Sequence, residues 1–206
     1  SWLTTTDEPK RVVAPVTSAP ASPPTRVDKN VSFTEKRKWI ALDEWTASNL
    51  QVQNSEESRP KVDMGAIRLL EDTKDSWRNV QTGIASTPNS VVKVEFDVKS
   101  FGTDRQAVVM LFSGPNRISC NLNLKSGQAF EAHLGQASES VCTANRYEGK
   151  DWWHFEMVGT IPVLVSSEPT FLAITITKDG FKEDYKGDGE SGLLIGDITL
   201  SQADRK

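Results

Sequence analysis

The sequence predicts an all-β chain built from two packed antiparallel sheets. Three observations carry that prediction: period-two alternation of apolar and polar residues recurs along most of the chain, Gly-, Pro-, Asn- or Ser-bearing turns separate the alternating runs, and no amphipathic helical pattern intervenes. The clearest run is Val92, Val94, Phe96 and Val98, alternating with Lys93, Glu95, Asp97 and Lys99. Such a run buries one face of a strand and leaves the other in water. Ile118, Cys120, Leu122 and Leu124 alternate likewise with Ser119, Asn121 and Asn123. Further strands are expected at Ala66–Leu70, Trp77–Gly83, Ala107–Phe112, Trp152–Val158, Phe171–Thr177 and Leu193–Leu200.

The N-terminal stretch reads differently. Residues 1–30 contain APVTSAPASPPTR, rich in Pro, Ser, Thr and Ala and without periodicity, which predicts an extended linker ahead of a folded domain spanning 31–206. The chain starts at Ser1 without a methionine, which fits either a mature end left by signal removal or a boundary just outside an upstream anchor. No run approaches the roughly 18 consecutive apolar residues a membrane span needs. With 206 residues, 37% of them apolar, and a formal net charge of −4, the chain has no basic tract for nucleic acid, and no nucleic-acid partner is expected. Two cysteines, Cys120 and Cys142, are too few for a disulfide framework and make no zinc spacing with His133 and His154. They read either as two buried thiols or as one disulfide between predicted neighbouring strands, the latter in an extracytoplasmic setting.

The run DYKGDGESGLLIGDITL, Asp184–Leu200, concentrates glycines and acids before a strongly apolar strand. A phosphate cradle needs amides leading into a helix N-terminus with a lysine at the proper spacing, whereas here a strand follows and Asp188 and Glu190 would repel an anion. The glycines therefore read as turn residues. Tyr185-Lys-Gly-Asp-Gly-Glu-Ser-Gly-Leu-Leu-Ile195 resembles the Y-x-G-D-G-x-S-G-[IL]-x-I run that closes jelly-roll domains of phage tail and tailspike proteins and of some bacterial surface proteins. Cys120-Asn-Leu-Asn-Leu-Lys-Ser-Gly127 is similar to their F-[DN]-L-x-T-G strand and turn, and Lys150-Asp-Trp-Trp-His-Phe155 to their G-N-G-W-Y-R strand, with Asp151 and His154 departing from that pattern. Arg68–Asp72 and Val80-Gln81 resemble an earlier pair of strands, so the resemblance covers about Lys38 to Gln202.

The resemblance implies an antiparallel two-sheet jelly-roll sandwich related to carbohydrate-binding modules. It also implies the option of a structural calcium, for which Asp184, Asp188, Glu190 and Asp197 supply hard oxygens, although the alternating acids of a complete calcium loop are missing. A nucleophile elbow Gly-x-Ser-x-Gly is absent from the sequence, so no catalytic residue is assigned. Sugar recognition needs a flat apolar platform flanked by hydrogen-bonding groups. Alternation in Trp152–Val158 predicts Trp153, Phe155 and Met157 in the core and Trp152, His154 and Glu156 on an exposed face. Asn121, Asn123, Trp77, Asn79 and Gln81 join that face if their strands share its sheet. The expectation is a non-catalytic module binding polysaccharide or oligosaccharide, tethered to an envelope, secreted or virion protein. The alternatives are a structural or protein–protein interaction domain of an envelope or phage assembly, and a fragment of an esterase or glycosidase.

Overall fold

The computed structural model describes residues 10–12, 33, 35–39, 41–60, 65–85, 90–131, 136–137, 140–160, 169–179, 182 and 184–203. Every regular element among them is a strand. In chain order these are β1 (Lys10–Val12), β2 (Glu35–Trp39), β3 (Thr46–Ser48), β4 (Leu50–Ser58), β5 (Gly65–Glu71), β6 (Asp75–Ser76), β7 (Asn79–Ile84), β8 (Val91–Phe101) and β9 (Gln106–Ser113). There follow β10 (Asn116–Asn123), β11 (Gln128–Glu131), β12 (Gln136–Ala137), β13 (Ser140–Arg146), β14 (Trp153–Thr160), β15 (Thr170–Thr177), β16 (Tyr185–Lys186), β17 (Gly192–Ile195) and β18 (Ile198–Ala203).

Two large sheets form the body of the fold, an all-β jelly-roll sandwich. Sheet A has the order β1-β11-β10-β9-β15-β7-β3, with β12 parallel to β10; sheet B has the order β13-β14-β8-β17-β5-β4, and β18 lies between β8 and β2. All other pairings are antiparallel. The chain passes from sheet A to sheet B at Asn49, between β3 and β4, whose φ of 54° is the left-handed turn that an asparagine adopts more readily than most side chains. A strand that changes sheets in this way closes one corner of a sandwich.

The alternations read from the sequence set the core. Val92, Val94, Phe96 and Val98 of β8 face Ile118, Cys120 and Leu122 of β10, Val109 and Leu111 of β9 and Leu172, Ile174 and Ile176 of β15, all in one buried cluster. Trp39 and Trp45 meet edge to face at 5.5 Å, with Trp39 buried and Trp45 packed against the cluster. Cys120 of sheet A and Cys142 of sheet B form a disulfide with a Cα–Cα distance of 5.9 Å. The two strands are therefore opposed across the sandwich rather than neighbours within one sheet.

Two expectations about elements change. Leu193–Leu200 is not one strand but β17 and β18, both paired to the same edge of β8, with Gly196 and Asp197 between them. The break follows from packing: Arg59 lies across Gly196, and the Gly196 amide donates to the Asp97 carbonyl at 2.7 Å instead of continuing a ladder. Within the expected linker, Lys10–Val12 pairs with Ala129–Glu131 as the outermost strand of sheet A. The rest of residues 1–30, and His133, lie outside the described residues.

Candidate functional site

Strand register divides the predicted sugar-binding residues between two faces. In sheet A, directly paired residues form rows running across the sheet, and residues in one row project to the same side. One row is Asn121, Val108, Thr175 and Asn79; the next is Ser119, Met110, Ala173 and Gln81; a third is Asn123, Gln106 and Thr177. Their chain neighbours Cys120, Val109, Ile174 and Val80 are in the core, so these rows form the outer face of sheet A. A fourth row joins Arg117 to Phe112 and Phe171, whose rings lie 5.6 Å apart and are half-exposed.

Asn79, Gln81, Asn121 and Asn123 thus share one face, as expected. Trp77 extends it. The Ile176 amide donates to the Arg78 carbonyl at 2.8 Å, which carries the β15–β7 alignment past the end of β7 and sets Trp77 beside Thr177. Trp77 is 55% exposed, the most exposed large apolar side chain among the described residues. The amide oxygens of Asn79 and Asn121 and the Thr177 hydroxyl are buried and have no hydrogen-bond partner among the described residues. Buried polar atoms left unpaired cost on the order of 1–3 kcal/mol each. Like Val108, Ser119, Ala173 and Thr175, these three residues are at most 8% exposed, so the middle of this face is covered and its open part is Trp77 with half-exposed Gln81, Met110, Phe112 and Phe171. Asn123 serves the turn instead, its Oδ1 accepting from the amides of Lys125 (3.0 Å) and Ser126 (3.1 Å) and so closing the chain into β11.

Trp152, His154 and Glu156 lie on the outer face of sheet B, so the register assumed for a single joint site does not hold. The alternation itself is as expected, with Phe155 and Met157 fully buried and Trp153 packed on the core. Trp152, however, is only 4% exposed, because Ala66, Leu194, Phe101 and Tyr147 cover it in a small apolar cluster on that outer face. Alternation reports which way a side chain points. It does not report what lies on top.

Beside that cluster sits a charged network. Asp97 Oδ1 accepts from the Tyr147 hydroxyl at 2.5 Å and lies 2.9 Å from His154 Nδ1, while Arg59 stands 3.8 Å from Asp97 Oδ2 and 3.0 Å from Asp197 Oδ2. Lys38 also reaches Asp197, at 2.8 Å. Hydrogen bonds to Asp97 and then to Glu95 raise the His154 pKa to about 9 against the opposing effect of burial. Burial pushes the Asp97 carboxyl up, but His154 and Tyr147 outweigh it and hold the group below its usual range.

The four acids suggested for calcium do not converge. Asp188 Oδ1 accepts from the amides of Glu190 and Ser191, both at 2.8 Å, and its Oδ2 accepts from the Ser191 hydroxyl at 2.6 Å and the Thr103 hydroxyl at 3.2 Å. Asp197 is occupied by Arg59 and Lys38 on sheet B, and Asp184 and Glu190 are exposed. The loop is instead organised around Glu71, a residue that no sequence pattern singles out. Arg105 grips Glu71 with two bonds of 2.9 and 2.8 Å, Tyr185 donates its hydroxyl to it, and the Asp188 amide donates at 3.0 Å. Gly189, at φ 73°, turns the chain, and a Cβ at Gly187 would lie 2.1 Å from the Asp72 carbonyl oxygen. The glycines are thus turn and close-approach residues, as the sequence suggests.

The fold and this face define a class, a β-sandwich with an amide-lined outer sheet. No protein-family profile and no curated protein matches the chain. Among solved structures it is similar to the enzymatically active domain of tailspike protein 4 of bacteriophage CBA120, at 9% identity and TM-score 0.45, covering 79% of this chain and 20% of that one. It is likewise similar to the CBM22-1–GH10 modules of Clostridium thermocellum xylanase 10B complexed with xylohexaose, at 11% identity and TM-score 0.45, covering 81% and 27%. A third is carbohydrate-binding module CBM6cm-2 of Cellvibrio mixtus lichenase 5A in complex with cellotriose, at 11% identity and TM-score 0.41, covering 82% and 98%. The chain therefore spans about a fifth to a quarter of the first two proteins. Likenesses this distant say nothing about which ligand this chain takes.

Proposed function

We propose that the chain is a non-catalytic glycan-binding module and that the outer face of sheet A is its binding surface. One observation carries the reading: Trp77, 55% exposed, stands at the end of a face on which Gln81, Phe112 and Phe171 are half-exposed. An indole offers a flat apolar surface to the C–H face of a pyranose, and amide oxygens accept hydrogen bonds from its hydroxyls. Gln81 and the half-exposed Phe112–Phe171 pair extend the same face, giving room for more than one sugar unit. The ligand is accordingly an oligosaccharide or a polysaccharide. The disulfide agrees with an extracytoplasmic setting, where thiols stay oxidised. In that setting the module serves an envelope, secreted or virion protein.

The test is a glycan array followed by calorimetry on the best binder. Trp77→Ala is expected to keep its melting temperature and to lose about tenfold or more in affinity, the scale seen when planar ligands lose an aromatic stacking partner. An array blank at high protein concentration, or a hit bound equally well by Trp77→Ala, would rule out this surface.

A further inference from the structure

The outer face of sheet B carries a second polar cluster, on the opposite side of the sandwich from the glycan face. Glu95 of β8 and Glu156 of β14 stand directly opposite each other in register. Like charges so placed destabilise a sheet unless something neutralises them, and here the His154 imidazole between Glu95 and Asp97 supplies part of that neutralisation. His154 is the diagonal neighbour, its Nε2 3.4 Å from Glu95 Oε2. One ligand atom from each of Glu95, His154 and Glu156 lies within 4.8 Å of the other two. The remote imidazole nitrogen, Nδ1, is 2.9 Å from Asp97, which the Tyr147 hydroxyl holds in turn at 2.5 Å. A carboxylate on one imidazole nitrogen fixes the tautomer and ring orientation and directs the other nitrogen to a metal, the usual outer layer of a histidine-bound metal site.

We propose that Glu95, His154 and Glu156 bind a divalent transition-metal ion, with Asp97 and Tyr147 as positioning residues. The donor set decides the class of ion. One imidazole with two carboxylates suits Zn²⁺ and its first-row neighbours, whereas Ca²⁺ takes six to eight oxygens and Mg²⁺ keeps mostly water. Two glutamates also balance the charge of one divalent ion. Bonds of about 2.0–2.2 Å to zinc require the three donors to draw closer together than their present limit. Glu95 and Glu156 are both half-exposed, so this is a matter of side-chain rotation, and solvent reaches the cluster. Three protein ligands leave a fourth position for water or for a group of an incoming partner.

The test uses the full chain, freed of metal with chelator and titrated with Co²⁺ and then Zn²⁺. One Co²⁺ per chain is expected, with a visible absorption band that Zn²⁺ abolishes, and Zn²⁺ should raise the melting temperature by binding the folded state. Glu156→Gln keeps the shape of the side chain and should weaken binding at least about tenfold, and Asp97→Asn should weaken it by about 10- to 100-fold while the cobalt band persists at saturation. His154→Ala should remove the band, with circular dichroism checking that the sandwich is intact. No saturable binding up to millimolar metal, equal binding of Ca²⁺, or binding unchanged in Glu156→Gln would overturn the site. None of these readouts involves glycan, so the outcome is independent of the surface on sheet A.

Discussion

Trp152 and Trp153 are adjacent in the chain and packed on opposite sides of sheet B. Trp153 is partly buried and packs against the core between the sheets, and Trp152, more deeply buried, is covered by Ala66, Leu194, Phe101 and Tyr147 on the outside. Both should therefore matter to stability, unlike exposed Trp77. Trp152→Ala is expected to destabilise the protein by about 3 kcal/mol, at the lower end of large aromatic truncations, since its cluster is small. Urea unfolding measures this. A loss below about 1 kcal/mol would mean that the outer cluster contributes little to folding. The contrast with Trp77 also shows how far residue type alone carries. The sequence contains six tryptophans, and the one at 55% exposure sits outside any strand, where alternation is least informative.

At the scale of an element, the loop from Tyr185 to Ser191 is held by carboxylates bonded to donors of the same chain. Burial pushes the Asp188 carboxyl up, but the Ser191 hydroxyl and the amides of Glu190 and Ser191 hold it well below its ordinary value of 3.8. A depressed carboxyl contributes stability that is fully present above the unfolded-state value and fades as pH falls below it. The melting temperature of the native chain should thus exceed that of Asp188→Asn above about pH 4, with the gap closing toward pH 2. A gap that stays constant from neutral pH to acid would place the contribution of Asp188 in shape rather than charge. Of the loop acids that suggested calcium, Asp188 is explained by the same chemistry. Oxygens that accept from Ser191, Glu190 and Thr103 are occupied before any ion arrives.

At the scale of the whole molecule, the Cys120–Cys142 disulfide ties sheet A to sheet B across a separation of 22 residues. Closing a loop of that length restricts the unfolded chain by about 3 kcal/mol in the chain-entropy account. Reduction, or the Cys120→Ser/Cys142→Ser double variant, should lower the denaturation midpoint correspondingly while leaving a folded sandwich, because the surrounding core does not depend on the bridge. A midpoint insensitive to reductant, with the bond shown to be cleaved, would contradict this.

The alternation along β8, β10 and β14 decided the all-β class, the core composition and the side of the strand from which each polar residue projects, because a period of two is a local property of the backbone. The glycines of the Tyr185–Leu200 run likewise declared a turn before the final strands. Which polar faces share a sheet was not local. Asn121, Asn79 and Gln81 meet on sheet A, and His154, Glu95 and Asp97 meet on sheet B, only through pairings between strands far apart in the chain. Trp152 pointed outward as expected, yet it is buried because Ala66 and Leu194 arrive from β5 and β17. Glu71 was legible only as part of the Arg68–Asp72 strand and not as the centre of the loop, since an acid at the end of a strand looks solvated until Arg105 and Tyr185 close over it. Direction is written into the chain by its own stereochemistry, whereas cover and company come from segments that only the folded packing brings together.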